Sequence, residues 1–310
     1  MNQLPQPEGE RGRQLKLAIG KAWHSLGMLE YSQGDNLRAL ESAKKAVEFA
    51  RQVDNKSLLA VALAFQASGK LWLGQTEGVQ ELLDEGLAAA RESGDKYAAG
   101  LPLALYGQGI ALTQGDYEKA GKYIKEGGAL LQESGNHWGA TMAMLSTGMM
   151  AKFKGDYELA RSQFTACEPL FLDLGDRHRV NMVRSELAHL ERYQGHYDKA
   201  EAMYLETLPE WKRIGHRAAI AHQLECLASI AIVREQGRRA ARLFGAAEAL
   251  REKVNIQMTP LERVEYERTI ANLHAGMEPA AFTSCWAEGR AMSMDQAINL
   301  ALETNTITAG

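Results

Sequence analysis

Residues 113 to 120 read TQGDYEKA, which places a carboxylate, a phenol, a second carboxylate and an ammonium group at four consecutive positions. Such a cluster contains the acids and bases that proton transfer requires. Nearly the same letters return as FKGDYELA at 153 to 160 and as YQGHYDKA at 193 to 200. A catalytic constellation is needed once, whereas a turn between helices is needed in every unit of a repetitive fold. The octapeptide is therefore assigned to architecture, and chemistry has to be sought elsewhere.

The histidines are the next candidates, since five of the eight fall between His178 and His222. His189 and His196 lie on either side of Gly195, so they do not share a helix face. His137 and His216 stand where Asp or Asn stands in sister segments, which suits helix capping or solvent exposure. No histidine has a Cys or carboxylate partner at a zinc-ligand spacing, so no metal and no cofactor are expected. Cys167, Cys226 and Cys285 are widely separated and odd in number, which fits a reduced, cytoplasmic setting. Cys167 occupies a small-residue position and is expected to be packed.

Phosphate-binding and hydrolytic signatures are missing too. The Gly-Lys pairs beginning at Gly20, Gly69 and Gly121 are preceded, five residues earlier, by Leu15, Ala64 and Asp116 where a P-loop has glycine. There is no GxSxG and no HExxH. The expectation is a chain that is not an enzyme.

The elements that would position any site follow from the period. Gly34, Gly74, Gly115, Gly155, Gly195 and Gly237 are spaced 40, 41, 40, 40 and 42 apart. A small residue follows five positions later at Ala39, Ala120, Ala160 and Ala200; Val79 takes the place in the second repeat, and Ala241 comes one position early in the sixth. A second punctuation alternates with the first: QVDNK at 52 to 56, ESGDK at 92 to 96, ESGNH at 133 to 137, DLGDR at 173 to 177 and RIGHR at 213 to 217. Between the marks the chain is rich in Ala, Leu, Glu, Lys and Arg, so each repeat is two helices of about eighteen residues. Each glycine suits the position after a helix end, where positive φ is required, and the Asp or Asn after it can cap the next helix. Helix pairs that cannot bury their apolar faces alone stack on their neighbours. The predicted fold is all-α, one continuous unit of six helical hairpins over residues 15–256, with a loose tail at 1–14, capping helices at 257–304 and a short tail at 305–310.

Composition narrows the function further. Apolar residues make up 45%, charged residues 24%, and the formal charge is −4. That balance suits a folded protein and offers no basic excess for nucleic acid. The longest apolar run, Leu58 to Phe65, is far short of a bilayer span, so no membrane contact is expected.

These repeats resemble the tetratricopeptide repeat (TPR). With the turn glycine at the family's fifteenth position, Leu26-Gly27 falls on its Leu-Gly pair, and Gly148 on the same glycine in repeat four. Ala39, Ala120, Ala160 and Ala200 fall on its alanine, and Phe164 and Tyr204 on its later aromatic. The period of about 40 is longer than the family's 34, and its closing proline is absent. The resemblance implies a right-handed α-solenoid. The closing stretches AARLFGAAEALR (240 to 251), TPLERVEYERTI (259 to 270) and FTSCWAEGRAMSMDQAINLALE (282 to 303) resemble the end of the repeat domain in LuxR-type and AfsR-type regulators, which are STAND signal-transduction ATPases. In physical terms Thr259-Pro260-Leu261-Glu262 and Ser293-Met294-Asp295-Gln296 are capping boxes, and Phe282 and Trp286 are placed to close the last hairpin.

The resemblance also implies where a ligand sits, because in TPR superhelices five positions of each first helix line a concave groove. Among them here are Tyr31, Trp72, Met142, Met149, Lys152, His189 and Arg192. Two readings of the apolar stripe Leu105, Met142, Leu145 and Met149 stand open: buried core, or a pocket for an apolar or amphipathic effector with Lys152, His189 and Arg192 as polar ends. The implied function is the sensor arm of a transcriptional or signalling regulator, with an ATPase domain in cis. The alternative is a stand-alone adaptor gripping a peptide or helix. No nucleic acid is expected to touch this segment.

Overall fold

Every Asp or Asn expected to cap a helix in the first four repeats does so in the computed structural model, which describes residues 9–254, 258 and 260–303, the side chains of Trp72, Leu112, Thr113, Val254, Pro260, Leu261 and Glu262 excepted. The carboxylate or amide oxygens of Asp35, Asn55, Asp95, Asp116, Asn136 and Asp156 each accept a backbone N–H from the turn that follows. Each such cap contributes about 1 kcal/mol. His216 does the same with Nδ1, which accepts from Ala219 at 3.2 Å.

The helices begun this way, fifteen among the described residues, are α1 (Gly9–Ser32), α2 (Asn36–Gln52), α3 (Lys56–Trp72), α4 (Val79–Ser93), α5 (Lys96–Gln114), α6 (Tyr117–Glu133), α7 (His137–Phe153) and α8 (Tyr157–Asp173), then α9 (Arg177–Tyr193), α10 (Tyr197–Ile214), α11 (Arg217–Val233), α12 (Gly237–Val254), α13 (Pro260–Ala275), α14 (Pro279–Ala291) and α15 (Met294–Leu302). No strand occurs among the described residues. Helix α1 starts inside the segment predicted as a tail, and Arg13 anchors that extra turn by donating from Nε to the carbonyl of Val53 at 3.1 Å.

The turns repeat as closely as the letters do. Gly34, Gly74, Gly115, Gly155 and Gly195 all have positive φ. In four of these five turns the residue after the glycine donates its N–H to the carbonyl five positions back: Asp35 to Glu30, Gln75 to Lys70, Asp156 to Ala151 and His196 to Glu191. This bond satisfies a carbonyl that a helix end would otherwise leave open. The sixth turn corrects the sequence expectation. Gly237 is the first residue of α12, and the left-handed residue is Glu235, with φ 60°, followed by the same bond from Gln236 to Ala231 at 2.8 Å. A turn centred on Glu235 restores the 40-residue step from Gly195, and it makes Ala240, not Ala241, the sixth member of the small-residue series. Val79 is 1% exposed, and Ala39, Ala120, Ala160, Ala200 and Ala240 are fully buried.

The residues divide into two compact units, Met1–Asp176 with α1 to α8 and Arg177–Gly310 with α9 to α15. In a stack whose hairpins touch only their neighbours no single core is shared by all, so packing density decides where it divides. In the first unit one core gathers Val47, Leu58, Leu63 and Leu131, and another Leu83, Ile110 and Ile124. Gly148 of α7 lies against Phe164 of α8, so close that a Cβ there would meet the ring at 2.6 Å. In the second unit Tyr204, Leu208, Ile220, Leu224, Phe244 and Ile298 form the centre.

The end of the second unit departs from the repeat. Helix α14 crosses α12 at two facing glycines: a Cβ on Gly289 would sit 2.1 Å from the carbonyl oxygen of Arg242, and one on Gly245 2.3 Å from that of Trp286. Phe282 and Trp286 pack on this core, with the Trp286 ring stacked 6.4 Å from Phe244 and its Nε1 donating to Glu248 at 2.9 Å. Arg290 bonds Glu248 and Glu252 across the same crossing. The Ser293–Gln296 capping box forms at α15. The first predicted box lies outside the described residues at Thr259, and so does the tail beyond 303.

Candidate ligand-binding groove

The groove candidates of the first unit sit on α1, α3 and α7. Tyr31 meets the edge of Phe65 at 6.4 Å between centroids. His24, one α1 turn-pair earlier, also meets Phe65 edge-on at 5.6 Å and is 8% exposed, with no hydrogen-bond partner for either ring nitrogen among the described residues. Burial lowers its pKa to about 4, so the ring is neutral at physiological pH. The side chain of Trp72 lies outside the described residues.

The apolar stripe of this unit is divided. Leu145 is core, 1% exposed, whereas Met142, Met149 and Leu105 are half-buried. Lys152, one turn beyond Met149, holds its ammonium 5.0 Å from the Phe153 ring, which stacks with Tyr117 at 6.5 Å. The side chain of Gln108 on α5 donates to Ser146 on α7, tying the two first helices together beneath the stripe. What α7 presents is thus two adaptable thioethers beside a cation.

In the second unit His189 and Arg192 are not rim groups. His189 is 4% exposed; its Nδ1 lies 2.5 Å from the Tyr204 hydroxyl and 3.7 Å from the Cys226 sulfur, and its ring stands 4.8 Å from that of His222. Arg192 lies over the Tyr193 ring at 4.6 Å and donates from Nη1 to Glu265 on α13 at 3.3 Å. The predicted pair is brought together, but within a buried polar cluster completed by Tyr204 and Cys226, with the partly exposed Glu265 at its edge. Burial raises both the phenol and the thiol above their ordinary values, so neither is an ionised nucleophile at neutral pH.

A second buried network lies one turn away. Ser185 accepts from Trp211 Nε1 at 3.0 Å and from Gln223 Nε2 at 2.9 Å and donates to the carbonyl of Asn181, while Gln223 also donates to Thr207 at 2.7 Å. Beyond it, His178 and His216 stack at 5.2 Å with Trp211 against both rings. Burial, then the neighbouring Arg179, then His216 lower His178 to about 2, and burial lowers His216 to about 4. Sequence reasoning found none of these networks, because their members come from three or four different helices. Cys167, expected to be packed, is fully buried with its thiol pushed up to about 12 by burial. Among the described residues no three His, Cys, Asp or Glu side chains converge on a metal position, and no helix is long and apolar enough to cross a membrane.

Comparison with known proteins agrees with the hairpin architecture. Residues 20–53 match the tetratricopeptide repeat family, a span that covers most of α1 and α2. A search of curated proteins finds no match. Among solved structures the chain is similar to a Rap protein complexed with competence and sporulation factor, at 17% identity and TM-score 0.58, covering 91% of this chain and 79% of that one. It is also similar to a signal-transduction ATPase with numerous domains from Pyrococcus horikoshii that carries a tetratricopeptide-repeat sensor, at 14% identity and TM-score 0.54, covering 89% of this chain and 45% of the other. At these identities the likeness is one of fold: helical hairpins stacked as in TPR proteins.

Proposed function

We propose that the chain is a non-enzymatic binding domain, the sensor arm of a signal-transduction regulator that works in the cytoplasm with an ATPase domain in cis. The observation that carries this reading is the exposed part of α7, where Met142 and Met149 stay half-buried beside Lys152 although Leu145 on the same helix is core. Two half-buried, unbranched thioethers next to a cation make a surface that adapts to an apolar or amphipathic partner and fixes one anionic end of it. The fold neighbours support the assignment in kind, since one was crystallised with the competence and sporulation factor and another carries its repeats as a sensor.

His189 and Arg192 enter the reading as positioning groups. Their bonds to Tyr204 and Glu265 hold α9 against α10 and α13, so a partner that shifts α9 has to break them. A sensor needs such differential contacts, because a ligand moves an equilibrium only by binding its two states unequally.

Native mass spectrometry of the purified chain tests the surface, with Met149→Gln and Lys152→Ala as variants. A retained partner lost in both variants supports the assignment, and one retained unchanged in both overturns it. The reading frame surrounding the sequence tests the sensor role separately. A Walker A segment upstream supports it; a frame that carries none leaves the stand-alone adaptor.

A further inference from the structure

The second unit contains a cavity of about 230 Å3 between the start of α11, the last turns of α12 and the connection from α14 to α15. Its floor is apolar, formed by Leu250, Met292, Met294 and Ala297, and the charged groups on its wall are Arg217 and Lys253. The hydroxyl oxygen of Ser293, also on the wall, accepts the backbone N–H of Gln296 at 3.2 Å, which leaves its own proton to donate.

The charge balance around this cavity is one-sided. The carboxylates next to it in sequence are each held by another cation: Glu252 by Arg290 at 2.7 Å, and Asp295 by Lys212 at 2.8 Å. Glu225, on α11, is taken by Arg251 at 2.6 Å. Arg217 and Lys253 have no ion pair or side-chain hydrogen bond to another described residue. An apolar hollow whose charged lining groups, among the described residues, are two cations with no carboxylate partner is complementary to a small amphipathic anion. A guanidinium fork fits a carboxylate in particular.

We infer that this cavity is a binding site for a small monocarboxylate with a short apolar chain or ring. The volume equals that of about eight liquid waters at roughly 30 Å3 each, which suits a ligand of about ten non-hydrogen atoms. The apolar tail lies on Leu250 and the two methionines, and the carboxylate bridges Arg217 and Lys253. A single negative charge is favoured over a double one because the floor supplies no hydrogen bonds to replace lost water. The site shares no residue with the α7 surface or with the His189 cluster, so it stands or falls independently of the proposed function.

Octanoate is a suitable probe, titrated into the full chain carrying 13C-methyl methionine, with octanamide as the uncharged control. The Met292 and Met294 methyl resonances are expected to shift saturably, with a dissociation constant on the order of 1 mM, while those of Met142 and Met149 stay still. Arg217→Gln combined with Lys253→Gln should weaken binding roughly tenfold. Both positions are exposed, so an unchanged circular dichroism spectrum and melting temperature separate lost binding from lost folding. The site is overturned by an absent or non-saturating shift, by equal binding of octanamide, by equal shifts at Met142 and Met149, or by undiminished affinity in the folded double variant.

Discussion

The hydroxyl of Tyr204 lies 2.5 Å from Nδ1 of His189, with both side chains buried. A phenol can give its proton to an imidazole nitrogen or accept one from it, and either way the bond joins α9 to α10. Tyr204→Phe removes this bond and leaves the buried imidazole nitrogen facing a hydrocarbon edge. The expected loss is about 1–3 kcal/mol in urea denaturation. A midpoint equal to that of the unaltered chain would show that the contact contributes nothing.

The small-residue series makes a packing prediction. Ala160 is fully buried, whereas its neighbour Leu159 is 42% exposed. Ala160→Leu forces extra methylenes into a filled contact and should cost about 1–3 kcal/mol. Leu159→Ala should change stability by less than about 0.5 kcal/mol. Melting temperatures of the pair check the register, and a larger loss at 159 than at 160 would reverse it.

The sixth turn offers a stabilising change. Glu235 carries φ 60°, a conformation costing a non-glycine residue about 1 kcal/mol, while Gly195 holds the same place 40 residues earlier. Glu235→Gly should raise stability by up to about 1 kcal/mol, and Gly195→Ala should lower it by a similar amount. Opposite signs in chemical denaturation are the expected outcome. A loss at both positions would mean that the Glu235 side chain has a role the backbone argument omits.

Acid should weaken the fold before most carboxylates titrate. His24 and His216 have folded-state values lowered to about 4, and His178 to about 2, against an ordinary 6.5. As pH falls below 6.5 the unfolded chain takes up protons that the folded chain refuses. Stability is therefore complete above 6.5 and is lost downward, at a slope approaching about 1.4 kcal/mol per pH unit for each histidine. For His24 and His216 the loss ends near pH 4. Denaturation midpoints between pH 7 and 4.5 should fall accordingly, and His24→Phe should remove one proton from the dependence. A flat profile would contradict the burial of these rings.

Much of the architecture was legible because it is written locally. A glycine with positive φ, an Asp or Asn at the cap and an alanine five residues on each act within one turn, so Gly155, Asp156 and Ala160 announce their roles without knowledge of the rest of the chain. The sixth turn misled because a glycine lies two residues from the strained Glu235, and the glycine alone was visible. The site was less legible. Whether Met149 is open and Leu145 closed depends on what the neighbouring helices bring, and His189 gained its partners from α10 and α11 at separations of 15 and 37 residues. The cavity beside Arg217 and Lys253 left no periodic trace, since the connection from α14 to α15 that completes it lies outside the repeat.

The close crossing of α12 and α14, at Gly245 and Gly289, bears on how such an array could be lengthened. Helix α14 presses its backbone onto the side of α12 that the first helix of a seventh hairpin would need, and neither glycine tolerates a side chain at that distance. New hairpins grafted after α12 would have to dislodge α14, together with the bonds of Trp286 and Arg290 to Glu248. Insertion between existing hairpins meets no such obstacle, because each brings its own turns and caps. The stopping point is thus carried by the closing segment and not by the repeats, and an engineer wishing to change the number of hairpins should cut upstream of α11 and leave everything from Arg217 onward intact.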